Sequence, residues 1–268
     1  MLKSTARTIV KRIAPPALVV WTRLDAARRP TRLGPIDLSL VSLIRSKTRD
    51  YLIDPRRLES DLLPKLGLND ESLYVFPEEL HSFCGRGLFS WQYPNQFSRY
   101  LAQLSKFNIE SYLEIGVRHG GTFVITVEYL QRFHPLKSAV GIDILRSPSL
   151  IEYSKMNPKV HFMRADTQFC QFKKFVRRQP GFDLVLIDGS HEELDCEQDF
   201  MTVKDNAKVI VFHDIVSKDA PGVARVWNRI KARHAKEFTF FEFTEQYQSV
   251  KDRTGHSYLG IGIAAKKM

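Results

Sequence analysis

Cysteine is scarce: Cys84, Cys170 and Cys196 are the only three in 268 residues, and no two form a CxxC pair. That excludes a disulfide scaffold, argues against a zinc ribbon and suits a reducing compartment. No run of 18 apolar residues occurs, which excludes a conventional transmembrane helix. Collagen-like and other internal repeats are absent. What is there is ordinary globular composition, 43% hydrophobic and 26% charged, which excludes disorder throughout. The length suits one large domain, or one domain plus an accessory segment.

Charge is lopsided. Forty Lys and Arg against thirty Asp and Glu give a net +10, which favours anionic partners such as nucleic acid, phosphorylated sugars or membrane surfaces. Residues 1–32 hold seven of those ten net charges, with Asp25 their one acid. The remainder is only mildly basic, so a DNA-reading face has little support and no nucleic-acid partner is expected. In the arm, the apolar stretch from Ile13 to Trp21 is broken by Pro15-Pro16 and no clear small-residue cleavage site follows, which disfavours a secretory signal. Two readings stay open: an interfacial anchor built on Leu18, Val19, Val20 and Trp21 between basic residues, or a basic arm that packs on a neighbouring subunit or stays mobile.

Three regions follow: a basic arm over 1–32, an accessory segment over 33–100 and a main domain over 101–268. The accessory segment has no clear period. It offers a helical piece from Pro55 to Leu66, turns at Gly34-Pro35 and Gly85-Arg86-Gly87, and dense aromatics from Tyr74 to Tyr100. Packing against the main domain is the simpler reading of those rings, and a lid or substrate wall the other.

From residue 110 short apolar runs alternate with helical stretches. The runs Tyr112–Val117, Ala139–Ile144, Val160–Met163, Leu184–Ile187 and Val209–Phe212 predict strands buried on both faces, hence a parallel sheet. Helices are predicted over 120–133, 148–156, 167–178, 192–205 and 222–235, and the alternation predicts a doubly wound α/β fold. Phe238–Phe243 and Tyr258–Ala264 read as two closing strands with no helix between them, an antiparallel edge on a parallel sheet.

Ligands of such sheets bind beyond the carboxyl ends of the strands. Here every predicted strand delivers an acid or a glycine loop to that rim: Glu114 followed by Gly116 and Gly120-Gly121, then Asp143, then Asp166, then Asp188-Gly189-Ser190-His191, then His213-Asp214. Buried carboxylates cost free energy unless paired, so a purely structural protein has no need of such a rim. The glycine spacing is GxxxGG and not the GxGxxG of dinucleotide binders. Glu114 beside it suits a ligand bearing an ammonium group better than a diphosphate. Asp143 stands where an acid accepts from ribose hydroxyls, and Asp166 or its backbone could accept from an adenine amine.

Glu114–Thr122, Asp143, Asp166, the DGSH turn and the His213-Asp214 pair together resemble class I S-adenosylmethionine (SAM)-dependent methyltransferases, in particular the group holding cephalosporin-hydroxylase-like proteins and macrolide-sugar O-methyltransferases. The resemblance covers about residues 95–265. It implies a Rossmann-like, seven-stranded, mostly parallel sheet with an antiparallel last strand, preceded by a mainly helical or irregular segment. It further implies that Glu114, Gly116 and Gly120 cradle the methionine part of SAM, that Asp143 holds the ribose, that Asp166 sits near the adenine, and that Asp188 borders the cofactor. Metal-dependent members hold a divalent ion after strands four and five. The matching residues are Asp188, His213 and Asp214, with His213 standing where some relatives carry an acid. Oxygen ligands suit magnesium, and an imidazole brings manganese into range. A cation lowers the pKa of a sugar hydroxyl and orients its oxygen, and His191 or His213 could take the proton.

The expected activity is therefore metal-assisted O-methylation of a saccharide or glycosylated small molecule, with Asp188, His191 and His213 at the chemistry. The expected location is cytoplasmic, with a peripheral membrane contact through residues 1–32 and a homo-oligomer both open. Two rivals stand beside it. A hydroxylase-like accessory enzyme could draw on His191, His213 and Asp214 as residue types for non-haem iron. A non-catalytic cofactor-binding protein should have lost the acids after strands four and five, and both are present. A nucleic-acid methylase should show an Asn-Pro-Pro-aromatic signature where this chain has DGSH. Single acids here could also be helix caps. His119 reads first as a helix-start polar residue, and Arg225 and Trp227 as anchors of their helix on the sheet. Lys173, Lys174, Arg177 and Arg178 read as a solvated helix face.

Overall fold

A computed structural model describes residues 34–267. The basic arm, and with it the choice between anchor and packing arm, lies outside the described residues. Seven strands form one sheet: β1 (Ser111–Ile115), β2 (Ser138–Asp143), β3 (Val160–Arg164), β4 (Phe182–Ile187), β5 (Ala207–His213), β6 (Phe238–Phe243) and β7 (Ile261–Lys266). Their order is β3-β2-β1-β4-β5-β7-β6. β1 to β5 pair in parallel, and β7 runs antiparallel to both β5 and β6. Short helical pieces, among them Val41–Arg45, Arg49–Leu52 and a continuous run over 55–66, make up much of the accessory segment, and the helices that follow are α1 (Pro94–Leu104), α2 (Gly121–Leu130), α3 (Pro148–Met156), α4 (Cys170–Arg177), α5 (Glu193–Val203), α6 (Pro221–His234) and α7 (Gln248–Thr254).

The two-residue period of the strands sorts the core. Tyr112, Leu184, Leu186, Val209 and Val211 face a cluster filled by Phe123 and Val127 of α2, Leu150 and Tyr153 of α3, and Ile44, Leu52, Leu58 and Leu66 of the accessory segment. Leu113, Ile115, Val185, Ile187, Ile210 and Phe212 face the other side, against Phe172 and Phe175 of α4, Phe200 of α5 and Trp227 of α6. Both faces are covered, which is why the strands read as continuous apolar runs. Each of these fully buried large side chains stabilises the fold by roughly 1.5–3 kcal/mol relative to exposure. The accessory segment thus shares a core with the sheet. It is further tied by Arg45, whose Nε donates to buried Glu128 Oε2 of α2 at 2.8 Å, while Tyr153 donates to the other oxygen at 2.7 Å.

Two details depart from the sequence reading. A helix, α7, does sit between the last two strands. It is seven residues long with one buried apolar residue, Val250, and ends at Gly255 with φ +70°, so no period announces it. Val250 packs with Leu68, Val75, Phe76, Tyr93 and Tyr258 in a third, smaller cluster between the accessory segment and the tail. The last strand begins at Ile261 and not Tyr258, because Leu259 and Gly260 have φ of +58° and +99° and form a turn.

Candidate functional site

The order of strands reverses between β1 and β4, where successive connections leave for opposite faces and a crevice opens. A cavity of about 700 Å³ lies there. Glu114, Gly116, Gly120, Asp143, Asp166, Asp188, His191, His213 and Asp214 all line it, so every site residue expected from the sequence reaches one space.

The β1–α2 loop is shaped by its glycines. Gly116 has φ +86°, and a Cβ on it would overlap the carbonyl oxygen of Asp188, so β1 and β4 approach through a glycine. Gly120, at φ +95°, caps α2 with its N–H donating to Val117 O at 2.7 Å. Arg118 between them also lies in the left-handed region at φ +45°, and its N–H donates to Asp143 Oδ2 at 2.7 Å. The Leu145 N–H donates to Asp143 Oδ1 at 2.7 Å, so two loops converge on one carboxylate. Burial pushes the Asp143 carboxyl up, against these N–H bonds. Asp166 closes the β3 end, accepting the Gln168 N–H at 2.9 Å.

Glu114 is buried, and the Tyr112 hydroxyl donates to it. Burial drives its carboxyl well above the usual range, and nearby Asp188 adds to this. Asp188 behaves oppositely. Burial opposes its charge, but His213 and His191 beside it hold it below the ordinary Asp value. His213 Nδ1 lies 3.0 Å from Asp188 Oδ1 and 3.5 Å from Asp214 Oδ2. Burial works against the His213 imidazolium, but Asp188 and Asp214 overcome it and push it up to about 9. His191 Nε2 lies 3.2 Å from Asp214 Oδ2 and 4.0 Å from Asp188 Oδ1. Asp188, then Asp214 against the cost of burial, raises its pKa.

Ligand atoms of Asp188, His191 and Asp214 all come within 4.8 Å of one another. His213, the histidine expected from the sequence, also has Nδ1 beside both acids, 3.0 Å from Asp188 and 3.5 Å from Asp214. Its ring is 4% exposed, whereas His191 is 46% exposed at the cavity. His213 Nε2 and Asp214 Oδ1 are buried without hydrogen-bond partners among the described residues. Asp214 has φ +63°. It shares that left-handed backbone with Phe89, Arg118 and Leu259, and all four line the cavity. Non-glycine residues hold this conformation at a cost and cluster at functional sites.

The accessory segment supplies the opposite wall through Asn69, Ser72, Tyr74, Val75, Phe89 and Trp91. Glu71 reaches across to the glycine loop, pairing with the Arg118 guanidinium and lying 2.9 Å from His119 Nε2. Arg118 sits over the Trp91 ring at 5.5 Å, and Phe89 stacks on His119 at 5.3 Å. Sequence reasoning missed Glu71, Arg118 and Asp219. Each is a single charged residue in a loop, and no spacing pattern connects 71 to 118. Arg225 pairs with Glu193 of α5 and is not among the cavity-lining residues, and Trp227 is buried in the core.

Residues 113–215 match the model of a family described as a methyltransferase domain. The strand order and the glycine loop at the end of β1 lie within or around this matched segment and fit the likeness. Among solved structures, the chain is similar to the O-methyltransferase TomG from Streptomyces achromogenes in complex with SAM, at 17% identity over 80% of this chain and 99% of that one, with a TM-score of 0.51. It is also similar to an O-methyltransferase from Bacillus cereus in complex with S-adenosylhomocysteine (SAH), at 15% identity over 85% and 96% of the two chains, TM-score 0.48. The MycE methyltransferase from the mycinamycin biosynthetic pathway, in complex with Mg, SAH and mycinamycin VI, is 16% identical over 67% of this chain and 50% of that one, TM-score 0.44. At these identities the likeness is one of fold. No protein of curated function matches the chain.

Proposed function

We propose that the protein transfers the SAM methyl group to a hydroxyl of a saccharide or glycosylated small molecule, with a divalent cation, magnesium or manganese, assisting. The observation that carries this reading is the convergence of Asp188, His191 and Asp214 in the same cavity as the glycine loop.

The residues suit both groups. For the cofactor, Gly116 and Gly120 give the loop its left-handed turns, packed against Asp188 O and Leu150, and Glu114, Asp143 and Asp166 line the cavity beside it. For the cation, two carboxylates and an imidazole form a fitting donor set, and the unpartnered Asp214 Oδ1 is a spare buried acceptor. Asp188, His191 and Asp214 would hold it. Bound there, it would supply Lewis acidity to the acceptor hydroxyl.

The chain's own residues do the rest. A cationic ligand group arriving beside Glu114 favours the ionised carboxylate, reversing the effect of burial. Asp143, fixed by two backbone N–H groups, presents its remaining lone pairs to ribose hydroxyls. His213 orients Asp188 through their 3.0 Å contact. The wall of Tyr74, Phe89 and Trp91 narrows access for water, which would otherwise compete for the methyl group.

The 3.2 Å pair of His191 with Asp214 also favours a second reading, in which no cation takes part and His191 is the general base with Asp214 supporting its charge. A chelator decides between them. With radiolabelled SAM and a panel of glycosylated acceptors, loss of transfer in EDTA and recovery with magnesium or manganese supports the first. Transfer unaffected by EDTA but lost in His191→Ala supports the second. Transfer that survives EDTA, Asp188→Ala and Asp214→Ala alike would sink both.

A further inference from the structure

The acceptor end of the cavity has a chemistry of its own. The loop that carries Asp214 continues through Ser217 to Asp219, with the Ser217 N–H donating to Asp214 O at 3.2 Å and the Ala220 N–H to Ser217 O at 3.2 Å. This compact loop sets Asp219 on the same cavity as Asp214. The Tyr74 hydroxyl donates to Asp219 Oδ2 at 2.9 Å. The Tyr74 ring stands edge-on to Tyr258, 5.9 Å between centroids and 78° between planes, and both rings line the cavity with Trp91.

Among the described residues, Asp219 forms no ion pair with any Lys, Arg or His. The cavity is lined by seven carboxylates and a single guanidinium, Arg118, which is already paired with Glu71 and seated over Trp91. Neighbouring Lys218 is exposed and does not line the cavity. Arg253 binds the carbonyls of Tyr74 and Phe76 and does not line it either. A phosphate or carboxylate beside Asp219 would meet a carboxylate that no cationic side chain pairs with, unlike Asp214, which has His191 and His213 beside it. An ammonium group would meet a carboxylate and electron-rich ring faces, the combination that recognises organic cations.

We propose that Asp219, Tyr74 and Tyr258 form the acceptor subsite and that it takes a sugar bearing an ammonium group in preference to an anionic one. This rests on the methyltransferase reading and narrows its substrate class. The preference runs against the chain's overall +10, because among the described residues the cavity lining holds seven carboxylates and one guanidinium.

The test uses the full chain and three matched probes: the 4-nitrophenyl glycosides of glucosamine, glucose and glucuronic acid. Calorimetry with SAH comes first. Equilibrium dialysis of the SAH-loaded protein then measures each glycoside at about pH 6.5, below the range of free amino groups. The expected result is glucosaminide bound about tenfold more tightly than glucuronide, with glucoside between them, and this gap closed in Asp219→Asn and narrowed in Tyr74→Ala. Glucuronide binding as tightly as glucosaminide would overturn the proposal. So would a gap that persists in Asp219→Asn, or SAH-loaded protein that binds none of the three. Absence of SAH binding would instead strike the methyltransferase reading and take this inference with it.

Discussion

The chain as a whole and its cavity carry opposite net charge. The sequence sums to +10, yet seven acids and one arginine line the space beyond the strand ends. Whole-chain charge suggested anionic partners, whereas the cavity is built to receive positive charge. SAM itself brings a sulfonium and an ammonium, so an acidic pocket in a basic protein is what the proposed cofactor asks for. Net charge describes solubility and long-range encounter; the lining of the site describes what binds.

Removing acids from the cavity should do most. Asp188→Asn and Asp214→Asn should each weaken manganese binding, followed by electron paramagnetic resonance, by at least about tenfold, and should lower methyl transfer by about 100-fold or more. Circular dichroism should stay native, since neither carboxylate is part of the apolar core. Gly116→Ala should cost nearly as much without touching any charge. Its Cβ would overlap Asp188 O, so cofactor affinity should fall by roughly 100-fold, or the protein should lose about 3 kcal/mol of stability in urea melts.

The next prediction concerns a buried acid behind the cavity. Asp199 of α5 is 1% exposed, and burial pushes its carboxyl up to about 7. Between about pH 4 and 7 the unfolded chain releases this proton while the folded chain keeps it, so the group's contribution to stability falls as pH rises. Asp199→Asn should remove that loss. Its melting temperature relative to the parent should be higher at about pH 8 than at about pH 5, equivalent to roughly 2–3 kcal/mol. An unchanged difference across that range would contradict the assignment.

Smaller effects should follow at the edges of the contrast. Glu71→Gln frees the Arg118 guanidinium and makes the cavity less acidic, so SAH affinity should weaken by about two- to fivefold, as expected for a partly exposed ion pair. Lys174→Glu combined with Arg177→Glu lowers the net charge by four on exposed positions of α4. SAH affinity should stay within about twofold, because neither residue lines the cavity.

The contrast also explains what could be read in advance. Strands such as Leu184–Ile187 and Val209–Phe212 announced themselves because both faces are buried. The rim was legible because in a parallel sheet each strand's C-terminal residues share one edge, so Glu114, Asp143, Asp166, Asp188 and Asp214 needed only a topology to be brought together. The opposite wall was not legible. Glu71, Tyr74 and Trp91 meet Arg118, Asp219 and Tyr258 across 27 to 184 residues of chain, through contacts that leave no local period. The different exposure of the two histidines beside the acids was hidden for another reason. His213 ends a strand and is buried, whereas His191 follows a turn and is half-exposed at the cavity, a difference that residue type does not reveal.

The account's central claim is an acidic SAM pocket joined to a cation site. Isothermal titration of the purified full chain with SAM, alone and with magnesium or manganese, tests it most directly. The prediction is micromolar-range binding of SAM and an additional metal-dependent heat that disappears in Asp214→Asn. No heat from SAM under any condition would contradict the account.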